Sequence, residues 1–319
     1  MTGIDTKRQL HAVMHEYPIG ARVLELTLAG RGSMGQVWRL VTEIGSWAVK
    51  LLHEPPDPDL LDNEMALLTR ATSITRSIPL LTSTGSSVLA VDQGHVRVAA
   101  WLEGEHPARP SEVATRVGAL LARLHKIDAP YRVAFPAWYN ELPTAVQWSD
   151  LVDRFSAVSP QCADMLRAAA ARLGALGEIP RPPMTDLISC HRDIKPANIL
   201  VRGDSSDLVV LDWENAGAAT PSRELASVIM HWSRWWTPQR DAAIARAIHE
   251  GYHAAGGRGQ LSTLEDFGLY ITEAGNHLYV VALAELANPA GPDGDRLSWL
   301  ASLVLDANLF DHLLDVLPA

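Results

Sequence analysis

Cys190-His191-Arg192-Asp193-Ile194-Lys195-Pro196-Ala197-Asn198-Ile199-Leu200 is the stretch that decides the fold. It contains H-x-D-x-x-x-x-N between two apolar, strand-like ends, the pattern of a loop that handles phosphoryl groups. Asp193 can accept or orient the proton of an attacking hydroxyl. Asn198 can reach a cation bridging phosphates, and Lys195 can set a compact positive charge against γ-phosphoryl oxygens. His191 reads as a structural residue that holds the loop by hydrogen bonds, because Asp193 already fills the role of base.

Working downstream, Val209-Val210-Leu211-Asp212-Trp213-Glu214 is an apolar strand ending in an acidic pair. A carboxylate fixed at a strand terminus suits a hard cation such as Mg2+, so Asp212 is read as a second metal ligand beside Asn198. Glu214 is left open between capping a turn and reaching a metal through water. Working upstream, Gly30-Arg31-Gly32-Ser33-Met34-Gly35 matches G-x-G-x-x-G and is followed by strand-like Gln36 to Leu40. A strand after the glycines, where a dinucleotide fold would have a helix, is the arrangement of a phosphate cover, with Gly30, Gly32, Ser33 and Gly35 at the nucleotide. An ordinary hairpin loop would carry the same letters. Lys50, in the run Ala48-Val49-Lys50-Leu51, needs an anionic partner if it lies on a central strand. Glu64, on the following helical stretch, is the expected one, leaving Lys50 to meet the α- and β-phosphates. The bland alternatives are a lysine snorkelling at a sheet edge and a solvated glutamate.

The hydrophobic pattern divides the chain. Short strand-like runs between Val23 and Trp101 surround one helical stretch, Asp59 to Ala71, and Val88 to Val91 with His95 to Trp101 form a hairpin about Asp92-Gln93-Gly94. After Trp101 the pattern becomes helical, at Glu112 to Ile127, Gln161 to Leu173, Ser222 to Trp236, Asp241 to Ala255, Leu264 to Leu286 and Leu297 to Val316. The expected organisation is therefore an N-terminal extension over 1–19, a nucleotide-binding N-lobe over 20–101 and a helical C-lobe over 102–319. The C-lobe would contain the catalytic loop and an acceptor pocket. The fold class is α+β: an antiparallel sheet with one helix over a mainly helical lobe.

Composition bounds the partners. The 319 residues, 47% hydrophobic and 20% charged, are those of a globular chain. With 27 basic against 37 acidic residues, the net charge of −10 offers no general surface for nucleic acid or anionic lipid. No apolar run approaches the length of a membrane span, and the first twenty residues lack a signal-peptide core. Cys162 and Cys190 are too few for a disulfide framework and fit a reducing compartment. The expectation is a cytoplasmic protein, with its oligomeric state left open.

In order, the glycine loop, strand lysine, helix glutamate, H-x-D-x-x-x-x-N and D-W-E resemble the protein-kinase-like superfamily. More closely, they are similar to the aminoglycoside phosphotransferase family of small-molecule kinases, over roughly Val23 to Ala226. Leu121-Ala122-Arg123-Leu124-His125 resembles that family's helix in the second lobe. Asp212-Trp213-Glu214 replaces the D-F-G of protein kinases, and Asn215 to Ala226 resembles the family's short connection into the next helix. No A-P-E follows Asp212, which argues against the long segment that seats a protein acceptor. His191-Arg192-Asp193-Ile194-Lys195-Pro196 departs from the H-G-D-x-H-P usual in antibiotic enzymes, and Glu224 stands where the family generally has Asp. The resemblance implies a two-lobed protein-kinase-like fold with ATP or GTP in the cleft. Its base would lie against backbone near Ala100 to Leu102, its phosphates under Gly30 to Gly35 and beside Lys50, and Mg2+ on Asn198 and Asp212. Asp193 would face the hydroxyl of a small-molecule acceptor, an antibiotic or related natural product ahead of a sugar- or choline-like metabolite or a protein serine.

For the acceptor pocket the sequence offers His231-Trp232-Ser233-Arg234-Trp235-Trp236, planar side chains that can stack on a ligand or pack in a core. It also offers Glu250, Glu265, Asp266 and Glu273, which can meet a cation or simply face water.

Overall fold

The computed structural model of the chain describes residues 7–32, 35–75, 78–92, 94–131, 137–203, 207–288 and 290–318. The first helix, α1 (Lys7–Glu16), leads into β1 (Val23–Arg31), β2 (Gly35–Thr42), β3 (Gly45–Leu52), β4 (Leu89–Val91) and β5 (Gly94–Ala100). These strands form one antiparallel sheet in the order β1-β2-β3-β5-β4. The register sets Val37, Lys50 and Arg97 in one row across the three central strands. β4 and β5 are the expected hairpin; Gln93 of its turn, like Ser33 of the glycine loop, lies outside the described residues. Between β3 and β4 run α2 (Pro58–Leu68) and α3 (Thr72–Thr75). The Asp57 carboxylate caps α2 by accepting from the amides of Asp59 and Leu60, and Pro58 occupies its first turn.

The segment read as an N-terminal extension supplies Val13, Tyr17 and Ile19 to the core beneath the sheet, where they pack with Leu40, Val49, Leu51, Val96 and Val98. The Tyr17 hydroxyl donates to the Val96 carbonyl at 3.0 Å, tying α1 to β5. That segment carries only a few apolar residues among charged ones, which hid its helix from the sequence.

The second lobe is built from α4 (Pro110–Leu124), α5 (Ala145–Val158), α6 (Pro160–Ala175), α7 (Pro221–Ser233), α8 (Ala242–Ala254), α9 (Gly268–Leu286), α10 (Gly294–Ser302) and α11 (Ala307–Val316). α5 has no counterpart among the expected helices, although Thr144 and Gln147 form a capping box at its start. The helix expected over Leu297 to Val316 is two helices. Leu303, Val304 and Leu305 leave the helical path between α10 and α11 and are buried in the core. Two small antiparallel ribbons, β6 (Ile188–Cys190) with β9 (Gly217–Ala219) and β7 (Ile199–Val201) with β8 (Leu208–Val210), frame the loops that follow β6 and β8.

The lobes are joined by more than the chain. Leu67 and Leu68 at the end of α2, Ala71 in the link after it and Ile74 in α3 belong to the core of the helical lobe. The Thr75 hydroxyl donates to the Val210 carbonyl at 3.2 Å. After β5, Glu105 and Val201 exchange backbone hydrogen bonds of 3.0 and 2.8 Å. The result is an α+β molecule of two lobes, and among its described residues no helix is long and apolar enough to cross a membrane.

Candidate active site

The loop from His191 to Asn198 is held from below. Arg192 adopts a left-handed backbone (φ 64°), a conformation costly for a residue with a Cβ, so its surroundings must fix it. Its amide donates to Glu224 Oε1 at 2.5 Å, and its guanidinium donates to the Asn215 carbonyl at 2.6 Å and lies over the Tyr139 ring, 3.9 Å from the centroid. Glu224 Oε2 pairs with His125 Nε2 at 2.8 Å, and His125 Nδ1 with the Tyr252 hydroxyl at 2.8 Å. His125, Cys190 and Glu224 are close enough to suggest a metal cluster, with ligand atoms within 4.8 Å of one another. Both ring nitrogens and both carboxylate oxygens are already used, however, so the group is a brace under the loop. The longer Glu224, where the resembled family has Asp, reaches both partners.

His191 is fully buried and spans two loops. Its Nε2 donates to the Leu211 carbonyl at 3.0 Å, and its Nδ1 accepts from the Asp193 amide at 3.2 Å. It is structural, as its sequence position suggested.

The side chains that the sequence nominated converge above this brace. Lys195 Nζ sits 2.9 and 3.0 Å from the two carboxylate oxygens of Asp193. Asn198 donates from Nδ2 to the Asp193 carbonyl and to Oδ2, both at 2.9 Å, which turns its amide oxygen away from Asp193. Asn215, unmarked in the sequence, donates to the same Oδ2 at 3.3 Å and accepts from the Tyr139 hydroxyl at 2.8 Å. Burial raises the Asp193 pKa against the opposing pull of Lys195, making it a stronger base than an exposed aspartate.

Asp212 also has a left-handed backbone (φ 61°) at the end of β8, just before the turn Trp213–Asn215. Lys50 Nζ reaches across from the sheet to Asp212 Oδ1 and to Glu214 Oε2, each at 2.6 Å. Burial works against the Lys50 ammonium, but the two carboxylates outweigh it and hold its pKa above the ordinary lysine value. Burial likewise disfavours the Asp212 anion, yet Lys50 prevails and its pKa is lowered.

One expectation is corrected. Glu64 is not the partner of Lys50: its two oxygens accept from Arg97 Nη1 and Nη2, both at 2.8 Å, in a buried bidentate pair. Arg97 stands directly opposite Lys50 in the sheet, so it intercepts the helix carboxylate with a fork geometry that an ammonium cannot match. No sequence motif marks Arg97.

The glycine loop divides in two. A Cβ at Gly30 or Gly32 would meet nothing within 4 Å, whereas one at Gly35 would lie 2.0 Å from the Leu51 carbonyl oxygen. The first two have open space where a side chain would stand, and the third is required by β2–β3 packing. At the crossover between lobes, Ala100 and Leu102 flank Trp101, whose amide donates to the Ser46 carbonyl at 2.9 Å.

Near Asp193, α9 presents Glu273 and α7 presents His231, an ion pair with Nε2 3.8 Å from Oε2; at that distance neither atom makes a hydrogen bond among the described residues. The Glu273 charge acts on Lys195 and on Asp193. The His231 ring meets Trp236 and Tyr270 edge-on, at 5.5 and 5.6 Å between centroids. By contrast, Trp232 and Trp235 of the aromatic run are core residues, donating to the Ile194 and Leu309 carbonyls.

Comparison with known proteins follows the same lines. Residues 25–258 match the phosphotransferase enzyme family. No curated protein sequence matches the chain. Among solved structures it is similar to a spectinomycin phosphotransferase, APH(9)-Ia, in complex with ADP and spectinomycin (14% identity, 97% of this chain and 98% of that one, TM-score 0.62). It is also similar to the amicoumacin kinase hAmiN with AMP-PNP, Ca2+ and its substrate (14% identity, 98% and 95% covered, TM-score 0.63). A third is a microcompartment-associated aminopropanol kinase (14% identity, 98% and 94% covered, TM-score 0.54). At such identities the likeness is one of fold.

Proposed function

The chain belongs to the phosphotransferase enzyme family, and on that premise we propose that it moves the γ-phosphate of ATP or GTP to a hydroxyl of a small molecule. The observation that carries this reading is the Asp193 carboxylate, buried, raised in pKa and contacted by Lys195 on both oxygens, beside the Lys50–Asp212 pair. Asp193 takes the proton of the acceptor hydroxyl as the oxygen attacks phosphorus. Lys195 moves its charge toward the phosphoryl oxygens, and Lys50 neutralises the phosphates that remain on the diphosphate product. Backbone at Gly30 and Gly32 covers those phosphates, and the chain from Ala100 to Leu102 receives the base.

The Asn198 amide oxygen, turned away from Asp193, and the Asp212 carboxylate form an all-oxygen donor set that suits Mg2+. When bound there, Mg2+ would offset phosphate charge and align the transferred group.

The acceptor would lie over Glu273 and His231. A buried carboxylate oxygen whose one described partner is His231 at 3.8 Å, that ring in turn edged by Trp236 and Tyr270, suits a protonated amine or a hydroxyl next to the attacked one. An amine-bearing antibiotic or natural product, with resistance as the role, is the leading acceptor. A small amino alcohol made in cytoplasmic metabolism is the second, favoured by the same carboxylate. A protein acceptor is disfavoured, because β9 begins at Gly217 and α7 at Pro221, leaving no long segment after Asp212.

The test is a transfer assay with Mg2+ and either ATP or GTP across hydroxylated antibiotics, sugars, amino alcohols and generic protein substrates, read by the mass of the acceptor. A gain of one phosphate on an amine-bearing small molecule is expected. Phosphorylation of protein substrates alone would overturn the reading.

A further inference from the structure

We propose that Glu214, and not the helix carboxylate Glu64, is the residue that positions Lys50 on the nucleotide phosphates. The inference rests on the phosphotransferase reading above. Lys50 and Arg97 are direct partners on neighbouring central strands, so their side chains leave the same face of the sheet and two cations stand side by side. Glu64 has both oxygens on Arg97, and the pair is almost fully withdrawn from water, with side chains 5% and 7% exposed. Recruiting Glu64 to Lys50 would leave the buried guanidinium only the longer, 3.6 Å contact with Glu214.

Two carboxylates remain for Lys50, and they are not equivalent. Asp212, with its side chain 38% exposed, is the ionised oxygen donor of the proposed metal pair, so a divalent cation there competes with Lys50 for it. Glu214 is 13% exposed and lies between the two cations, with Oε2 2.6 Å from Lys50 Nζ and Oε1 3.6 Å from Arg97 Nη1. Its backbone belongs to a short turn anchored by Trp213, whose buried indole donates to the Val210 carbonyl at 3.0 Å. With a divalent cation held on Asp212, Glu214 would be the anion left to fix the lysine. The catalytic lysine of the sheet is thus positioned from the helical lobe, and its placement depends on how the lobes meet rather than on how α2 is set.

The experiment compares Glu214→Gln and Glu64→Gln, which keep side-chain volume, with the parent chain. ATP affinity is measured by calorimetry at saturating Mg2+, nucleotide and acceptor KM and kcat in the transfer assay, and melting temperature in parallel. Glu214→Gln is expected to weaken ATP binding roughly tenfold or more and to raise the nucleotide KM more than it lowers kcat, with the acceptor KM unchanged. Glu64→Gln is expected to act mainly on melting temperature, with the smaller effect on ATP. In a double-mutant cycle with Lys50→Met, removing Glu214 should cost little further ATP affinity, because its effect runs through the lysine. Additive losses in the cycle, a loss in Glu64→Gln equal to or above that in Glu214→Gln, or recovery of Glu214→Gln on raising Mg2+ tenfold would each overturn the proposal. A parent chain that binds neither ATP nor GTP would instead overturn the phosphotransferase reading on which it stands.

Discussion

Asp193 shows how a short motif can be legible while its support is not. Its nearest polar contacts come from within five residues, Lys195 and Asn198, which the sequence reveals because the loop is local. Asn215, which completes its hydrogen bonding, and Tyr139, which holds Asn215, come from two distant segments and belong to no spacing pattern. The same holds for Arg97, invisible as a letter on a strand until the register places it opposite Lys50 and gives it Glu64. The residue-level prediction follows from the proton-accepting role. Asp193→Ala should lower kcat by about 10²- to 10⁴-fold, while ATP affinity stays within about threefold, since no phosphate contact is assigned to this side chain. Single-turnover transfer and calorimetry separate the two quantities, and weakened ATP binding with turnover retained would refute the role.

At the scale of elements, α4 and α8 approach closely at two glycines. A Cβ at Gly118 of α4 would lie 2.0 Å from the Ile248 carbonyl oxygen of α8, and one at Gly251 of α8 would lie 2.1 Å from the Thr115 carbonyl oxygen of α4. The helices therefore cross backbone to backbone, and Gly118→Ala should destabilise the fold by about 1–3 kcal/mol through overpacking, seen as a lower denaturation midpoint with an unchanged slope. α8 also carries His249 and His253, whose Nε2 atoms are 3.1 Å apart. Burial first, then His253, lowers the His249 pKa from 6.5 to about 4. A histidine kept neutral in the fold takes up a proton more readily when unfolded. Stability should thus fall as pH drops from about 6.5 toward 4, and thermal melts of His249→Gln should show a flatter pH dependence over that window. The long amphipathic elements other than α5 were legible because burial follows a 3.6-residue period. α1 was not, its stripe being short and diluted by charge. The break between α10 and α11 was masked by Leu303, Val304 and Leu305, apolar residues that the core takes up in non-helical form.

At the scale of the molecule, the two lobes are stabilised very differently. The sheet covers a small cluster, Val13 to Val98, while α2 and α3 send their apolar residues into the much larger helical core. The outer strand β1 is exposed along most of its length. Since burial is the main stabilising term, the sheet should open more readily than the helical lobe. What ties the sheet down on the cleft side is ionic, Lys50 to Asp212 and Glu214, and a nucleotide bridging the same groups would add to that tie. Native-state hydrogen exchange is therefore expected to show faster exchange for the amides of β1, β2 and β5 than for those of α4 and α8. ATP with Mg2+ at about a hundred times its dissociation constant should slow the sheet amides by up to about 100-fold, the equivalent of about 2.7 kcal/mol, wherever exchange requires the cleft to open. Equal exchange in both lobes, or protection by nucleotide confined to the helical lobe, would show that the sheet is not held through the cleft.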